Sequence, residues 1–228
     1  VAAQLPLLLG PDSKVAKRED FAAVGSNSYL SPGVCATKKN TGDIYGSRSQ
    51  LWDMSLLYKE IDDLAKIFDV EARGTALIAD FKARENALRT SFGKNQRDLS
   101  FLFWFSSASP SADAYLGGKN SASGFIAHLL GGHNAIDSDS EWPTVGWESI
   151  IAANPDVIVV SSLDRNRWKL DSAEEKIRFL KSDPAVSQLE AVKKGHIVVM
   201  DGQAMNPTIR TLYGAEQVAK QLETLGLN

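Results

Sequence analysis

The sequence predicts a three-layer α/β sandwich around a mostly parallel sheet. Runs of large apolar residues, "LSFLFWF" at 99–105, "DVIVV" at 156–160 and "GHIVVM" at 195–200, read as strands buried on both faces. Helical patterns alternate with them after residue 97, and strands alternating with helices pair in parallel with helices layered on the sheet. In such sheets ligands sit beyond the carboxyl ends of the strands, so the loops after residues 105, 160 and 200 are where a site is expected.

The first fifty residues are irregular. A short helix is expected around 18–24, then "SNSYLSPG" reads as a strand ended by Pro32 and Gly33, and a polar, glycine-containing loop follows from Thr37 to Gln50. "LPLLLG" near the start is too short to span a bilayer and lacks the basic flank of a signal peptide. Met54, Leu57, Ile61, Leu64 and Phe68 recur at three- and four-residue steps and predict a helix with one apolar stripe. Asp69 is the expected N-cap of a second helix, which carries Leu77, Ile78, Phe81 and Leu88 and ends at "FGKNQRD". At some twenty residues it is about 30 Å long, enough to run the height of a domain or to bridge two. Further helices are expected at 121–130, stopped by Gly131 and Gly132, at 147–153, from a Ser172/Glu175 capping box to about Lys181, and at 208–225.

With 228 residues the chain allows one large or two small domains. A net charge of -3 leaves no basic excess for nucleic acid, and Lys38-Lys39, Arg165 with Arg167, and Lys193-Lys194 are small clusters. One cysteine, Cys35, excludes an intramolecular disulfide. No nucleophile elbow, phosphate loop or dinucleotide fingerprint is present, and "YLGGKNSASG" fits neither glycine spacing. His128, His133 and His196 are scattered, and "DSDSEW", with Asp137, Asp139 and Glu141, lacks the glycine and terminal Glu of a calcium loop and reads as a solvated acidic loop. No catalytic residue, resident metal or cofactor is expected. The strand-end loops instead hold Ser106 and Ser107 after Trp104 and Phe105, then Ser161, Ser162, Arg165, Arg167 and Trp168, then Gln203, Met205, Asn206 and Arg210. Aromatic, hydroxylated and basic side chains suit a bulky ligand with negative charge. Arginine captures such oxygens through two parallel N–H groups, although a solvated loop explains Arg165 and Arg167 equally. Trp142 either anchors the core or lines a cleft, and Trp147 is expected to pack.

The steps Trp147-Glu148, "NPDVIVV" at 154–160 and Pro207-Thr208-Ile209-Arg210 stand in one ordered run. That run resembles the carboxyl-terminal lobe of periplasmic binding proteins of iron–siderophore and cobalamin ABC importers, in order and spacing across 97–225. "MSLLYKEIDDLAKIFDVEARGTALIADFKARENAL" is similar to the end of that family's first lobe and its rigid interlobe helix. The resemblance implies Rossmann-like lobes joined by one long helix: residues 1–69 as the remnant of a first lobe, 70–92 as the interlobe helix and 93–228 as the second lobe. It implies that the start of the first lobe is missing and that apolar surface is exposed. It implies capture of a ferric chelate or similar metallophore, without chemistry, and delivery to a membrane permease, from the periplasm or from a lipid anchor outside the cytoplasmic membrane. The expected ligand contacts are Trp104, Trp142, Arg165, Arg167, Trp168 and Arg210, stacking on or pairing with an anionic chelate. Glu148 matches the acidic position that meets permease arginines, while the helix dipole alone makes it favourable there by about 0.3–1 kcal/mol. The alternatives are a chelatase-like α/β enzyme and a metal-ion-, cobalamin- or heme-binding relative of the same fold.

Overall fold

The structure is a computed structural model and describes residues 18–39, 45–93, 98–165 and 167–227. The short helices α1 (Arg18–Ala23) and α2 (Pro32–Cys35) lead into the two-residue strands β1 (Lys38–Lys39) and β2 (Ser47–Arg48), which pair antiparallel. The strand expected before Pro32 does not form: no described segment supplies its ladder partners, and backbone groups form a strand only with a neighbour. Pro32 instead occupies the first turn of α2, with the Ser31 hydroxyl accepting from the Val34 N–H. Helix α3 (Ser55–Ile67) follows the predicted stripe, and α4 (Glu71–Phe92) packs on it. Asp69 is not the cap of α4; it takes a left-handed conformation (φ 55°) that a short polar residue tolerates, and Val70 precedes the helix without a side-chain cap. Gly74 lets the two helices close, because a Cβ there would lie 2.5 Å from the Ala65 Cβ.

The predicted strands and helices follow, with β4, β5, β6 and α8 in addition: β3 (Leu99–Ser106), β4 (Ala114–Leu116), α5 (Ala122–Leu129), β5 (Gly132–Asn134), β6 (Thr144–Val145), α6 (Trp147–Ala153), β7 (Val157–Ser162), α7 (Ala173–Ser182), α8 (Glu190–Lys194), β8 (Ile197–Asp201) and α9 (Arg210–Thr224). The sheet runs β6-β4-β3-β7-β8, with β5 beside the start of β3. β3, β5, β7 and β8 are parallel; β4 lies antiparallel to β3 and β6 antiparallel to β4. Successive side chains of a strand leave opposite faces. Phe101, Phe103, Val157 and Val159 therefore join one core with α4, α5 and α9, whereas Leu102, Trp104, Ile158 and Val160 join the other with α6, α7 and α8. The first core also takes Trp52, Met54, Leu57, Phe81 and Phe92, so one continuous apolar cluster links the segment before α3, both helices of the α3–α4 pair and the sheet. Ile67, Phe68, Val70 and Leu77 are exposed around the α3–α4 turn. At the outer edge of β8, the Gln221 side chain accepts from the Val199 N–H (2.8 Å) and donates to the Val199 carbonyl (2.7 Å), and Gln217 accepts from the Asp201 N–H (3.0 Å).

β2 is fastened to the 139–141 loop. Arg48 N–H donates to Asp139 O (2.8 Å) and Glu141 N–H to Gly46 O (2.9 Å). The Arg48 guanidinium is fully buried; its Nε donates to Glu141 at 2.6 Å, and its Nη2 donates to the Val34 carbonyl at 2.9 Å. Lys38 lies 3.7 Å from the same carboxylate, itself nearly buried. Glu141 is thus a core ion-pair partner, not part of a solvated loop. Asp137 and Asp139 do stay at the surface, where they pair with Lys119.

Candidate ligand-binding site

The site forms where β3 ends. Between the pairs Trp104–Leu116 and Ser106–Tyr115, β3 spends one residue more than β4, a β-bulge at Phe105. A bulge re-aims the side chain it carries. Phe105 stays half-buried, and its ring meets that of Trp142 at 4.8 Å. Arg165, in the loop after β7, holds its guanidinium 5.2 Å from the Phe105 ring and 5.2 Å from the Trp168 ring. Arg167 lies over Trp168 at 4.8 Å. Trp142, Phe105, Arg165, Trp168 and Arg167 therefore form one continuous surface of alternating aromatic and cationic groups.

Two expected ligand contacts lie elsewhere. Trp104 faces the opposite side of β3 from Phe105 and has no exposed surface. Its ring packs edge-on against Trp147 (4.8 Å) and Phe179 (5.8 Å), and its Nε1 donates to Ser107 Oγ at 3.0 Å. It is a core residue, and the two-residue strand period puts Phe105 in its place at the surface. Arg210, at the start of α9, faces Asp201 at 3.5 Å, in a shallow pocket with Ile209, Tyr213 and Gln217. No described contact joins it to the aromatic surface. Glu148 is exposed in the first turn of α6, whose N-cap is Gly146.

Asp171, which no motif or spacing singled out, lies beneath the site. Asp171 is fully buried and accepts from Ser106 Oγ (2.6 Å), Arg165 Nη2 (3.0 Å) and Nε (3.1 Å), and the backbone N–H groups of Arg167 (2.9 Å) and Trp168 (3.1 Å). Burial alone would raise its carboxyl pKa. The hydrogen bonds from Arg165, Ser106 and Trp168 outweigh burial and hold it at about 2, below the ordinary 3.8. Because the folded value lies below the unfolded one, this contribution is complete above about pH 4 and is lost as pH falls toward 2. A stability loss of about 2 kcal/mol across that window is expected for the native chain and is expected to be absent in Asp171→Asn; melting curves at pH 5 and pH 2.5 read it.

Among the described residues no group of three or more His, Cys, Asp or Glu side chains is placed to hold a metal ion. His133 faces Asp98 (3.0 Å) and His196 faces the Asp156 carbonyl (3.1 Å), so the histidines do not converge. Burial pushes the half-buried Cys35 thiol upward in pKa, against the opposing pull of Lys38 and Arg48. What the surface patch provides is a face for stacking and cations for pairing, which is binding chemistry.

A family model described as periplasmic binding protein matches residues 37–204. No curated protein matches the chain. Several solved structures share its fold. A periplasmic binding protein from Veillonella parvula superposes with a TM-score of 0.75 at 20% identity, covering 93% of this chain and 67% of that one. An ABC-type Fe3+-hydroxamate transport system from Saccharomonospora viridis gives 0.69 at 22% identity, covering 93% and 66%. The periplasmic heme-binding protein HutB of Vibrio cholerae gives 0.66 at 20% identity, covering 90% and 70%. The chain thus spans about two thirds of the length of these structures. The matched segment takes in the three long parallel strands and the aromatic–cationic surface at their ends, and on that match the chain belongs to the periplasmic binding protein family.

Proposed function

We propose that this chain is the substrate-binding component of an ABC importer, working outside the cytoplasmic membrane, which captures an anionic iron chelate of siderophore type, or heme, and delivers it to a membrane permease. The observation that carries this reading is the unbroken surface of Trp142, Phe105, Arg165, Trp168 and Arg167 at the carboxyl ends of parallel strands. Flat ligands stack on such rings, and their acidic oxygens pair with the guanidinium groups. Structural neighbours described as an ABC-type Fe3+-hydroxamate transport system and a periplasmic heme-binding protein support the same ligand classes. We read residues 70–92, which contain α4, as the helix joining a first-lobe remnant at 1–69 to a second lobe at 93–228. Among the described residues no helix is long and apolar enough to cross a membrane.

Titration with ferric tricatecholate, ferric trihydroxamate and heme tests the reading. At a free concentration of 100 Kd, binding to the folded state alone adds about 2.7 kcal/mol, a rise in Tm of about 5–10 °C for a chain of this size, together with quenching of Trp142 and Trp168 fluorescence. Flat fluorescence and unchanged melting for every member of the panel would sink it. Glu148 is proposed as the permease contact: Glu148→Gln is expected to leave ligand affinity unchanged, to lower Tm by no more than about 1–4 °C through the lost helix-dipole interaction, and to reduce uptake in a reconstituted transport assay. Unchanged uptake would leave Glu148 with only its helix-dipole role.

A further inference from the structure

Lys176 is an unusual residue to find on a helix that faces a core. It has no exposed surface. Its ammonium donates to the Ser161 carbonyl (2.8 Å), to Ser161 Oγ (3.1 Å) and to the Asp171 carbonyl (3.4 Å), and lies 5.8 Å from the Trp104 ring centroid. Ser161 Oγ in turn donates to the Phe105 carbonyl, so it meets Lys176 as an acceptor. Three N–H groups thus meet three acceptors, a match that only the charged ammonium makes; a neutral amine has two donors and turns its lone pair toward an oxygen. Those acceptors belong to two parts of the site, the end of β7 and the loop that ends at Asp171, and Ser161 Oγ carries the link on to the bulge of β3. The Asp171 carbonyl also accepts the Leu163 N–H (3.0 Å), so it fixes both ends of the loop carrying Arg165, Arg167 and Trp168.

We propose that Lys176 is a positioning residue for this site: its ammonium clasps the loop bearing Arg165 and Trp168 to the ends of β3 and β7, and loss of its proton loosens that loop and weakens capture of anionic ligand. The inference rests on the binding function proposed above. Burial pushes the ammonium down to about 7 from the ordinary 10.5; Asp171 opposes the shift and Arg165 adds to it. These two are the charged groups that face Lys176 among the described residues, both from the 164–171 loop; β7 meets it with Ser161 and β3 with Trp104. The titration therefore falls in the physiological range. Overall stability moves the other way. Between pH 7 and 10.5 the folded lysine is neutral while the unfolded one is protonated, so global stability rises with pH, and a loosening loop cannot be mistaken for general unfolding.

Amide hydrogen exchange on the ligand-free protein tests the clasp directly. After correction for intrinsic rates, protection at the Leu163, Arg167 and Trp168 amides is expected to fall about tenfold from pH 6 to pH 8.5, while core strand amides that exchange by global unfolding rise with the overall stability. Constant protection in the native chain overturns the proposal without any variant. An equal fall in Lys176→Met overturns it too, since another group would then be titrating. In the binding arm, the affinity of the native chain for trianionic ferric tricatecholate is expected to fall about tenfold between pH 6.5 and pH 8.5, with a flat profile in Lys176→Met. Parallel slopes in the two proteins, which isolate any titration of the chelate itself, reject the clasp. If no probe binds at any pH, the function reading fails, and the exchange arm still decides whether the clasp exists.

Discussion

Glu141→Ala is expected to destabilise the protein by about 3–5 kcal/mol, because it strands the Arg48 guanidinium inside the fold with no opposing charge. The pair sits at full burial, 2.6 Å apart, between segments 93 residues apart in sequence. The carbonyls of Val34 and Ala36 continue to accept from Arg48 in the variant, but they bring no neutralising charge. Urea unfolding measures the loss directly. The double variant Arg48→Met/Glu141→Leu is expected to lose less, since apolar side chains of similar volume avoid the desolvation cost that both ions carry; the loss that remains comes from Lys38 without its carboxylate and from the Val34 and Ala36 carbonyls without their donor. If the double variant is as unstable as the single one, packing and not charge pairing holds β2 to the 139–141 loop.

Trp104→Ala is expected to cost about 3–5 kcal/mol, the range for truncating a buried aromatic side chain, and to leave the affinity of the folded fraction unchanged. Trp168→Ala is expected to do the reverse. It removes a half-buried ring at the rim of the fold, with a stability loss under about 1 kcal/mol, yet it takes away the ring that both Arg165 and Arg167 cover. A tenfold to hundredfold loss of affinity for ferric tricatecholate follows if that ring anchors the ligand, at about 1.4 kcal/mol per tenfold. Two tryptophans that look alike in sequence are thereby assigned opposite roles, and one titration with one unfolding curve per variant separates them.

The contrast shows what was legible in the sequence. The long strands were plain because β3, β7 and β8 lie within one sheet between two cores, so both faces of their central residues are apolar. The helix Trp147–Ala153 was readable from its own residues, since Gly146 before it and Asn154 in a left-handed cap after it bound it locally. The Ser172 cap was readable as well, although only half of the predicted box is made: Ser172 accepts from the Glu175 N–H, while the Glu175 side chain pairs with Lys169 and Arg178. What escaped depends on partners far along the chain. β4 and β6, of three and two residues, are too short to show a period. The burial of Glu141 follows from Arg48, and that of Lys176 from acceptors on β7 and in the loop before α7. Trp142, Arg165, Arg167 and Trp168, singled out from residue type and loop position, are brought onto one surface. Trp104 was misassigned because both faces of β3 are apolar, so residue type does not show that the strand period turns Trp104 into the core and leaves Phe105 for the surface.

The outward-facing backbone groups of an edge strand are a template for another chain. On β8 the N–H and carbonyl of Val199 are already taken by Gln221 of α9, and the N–H of Asp201 by Gln217. The helix that packs against the core thus also fills rungs of that edge, so crowded copies of the folded molecule meet helix side chains where a fibre would need free backbone groups at Val199.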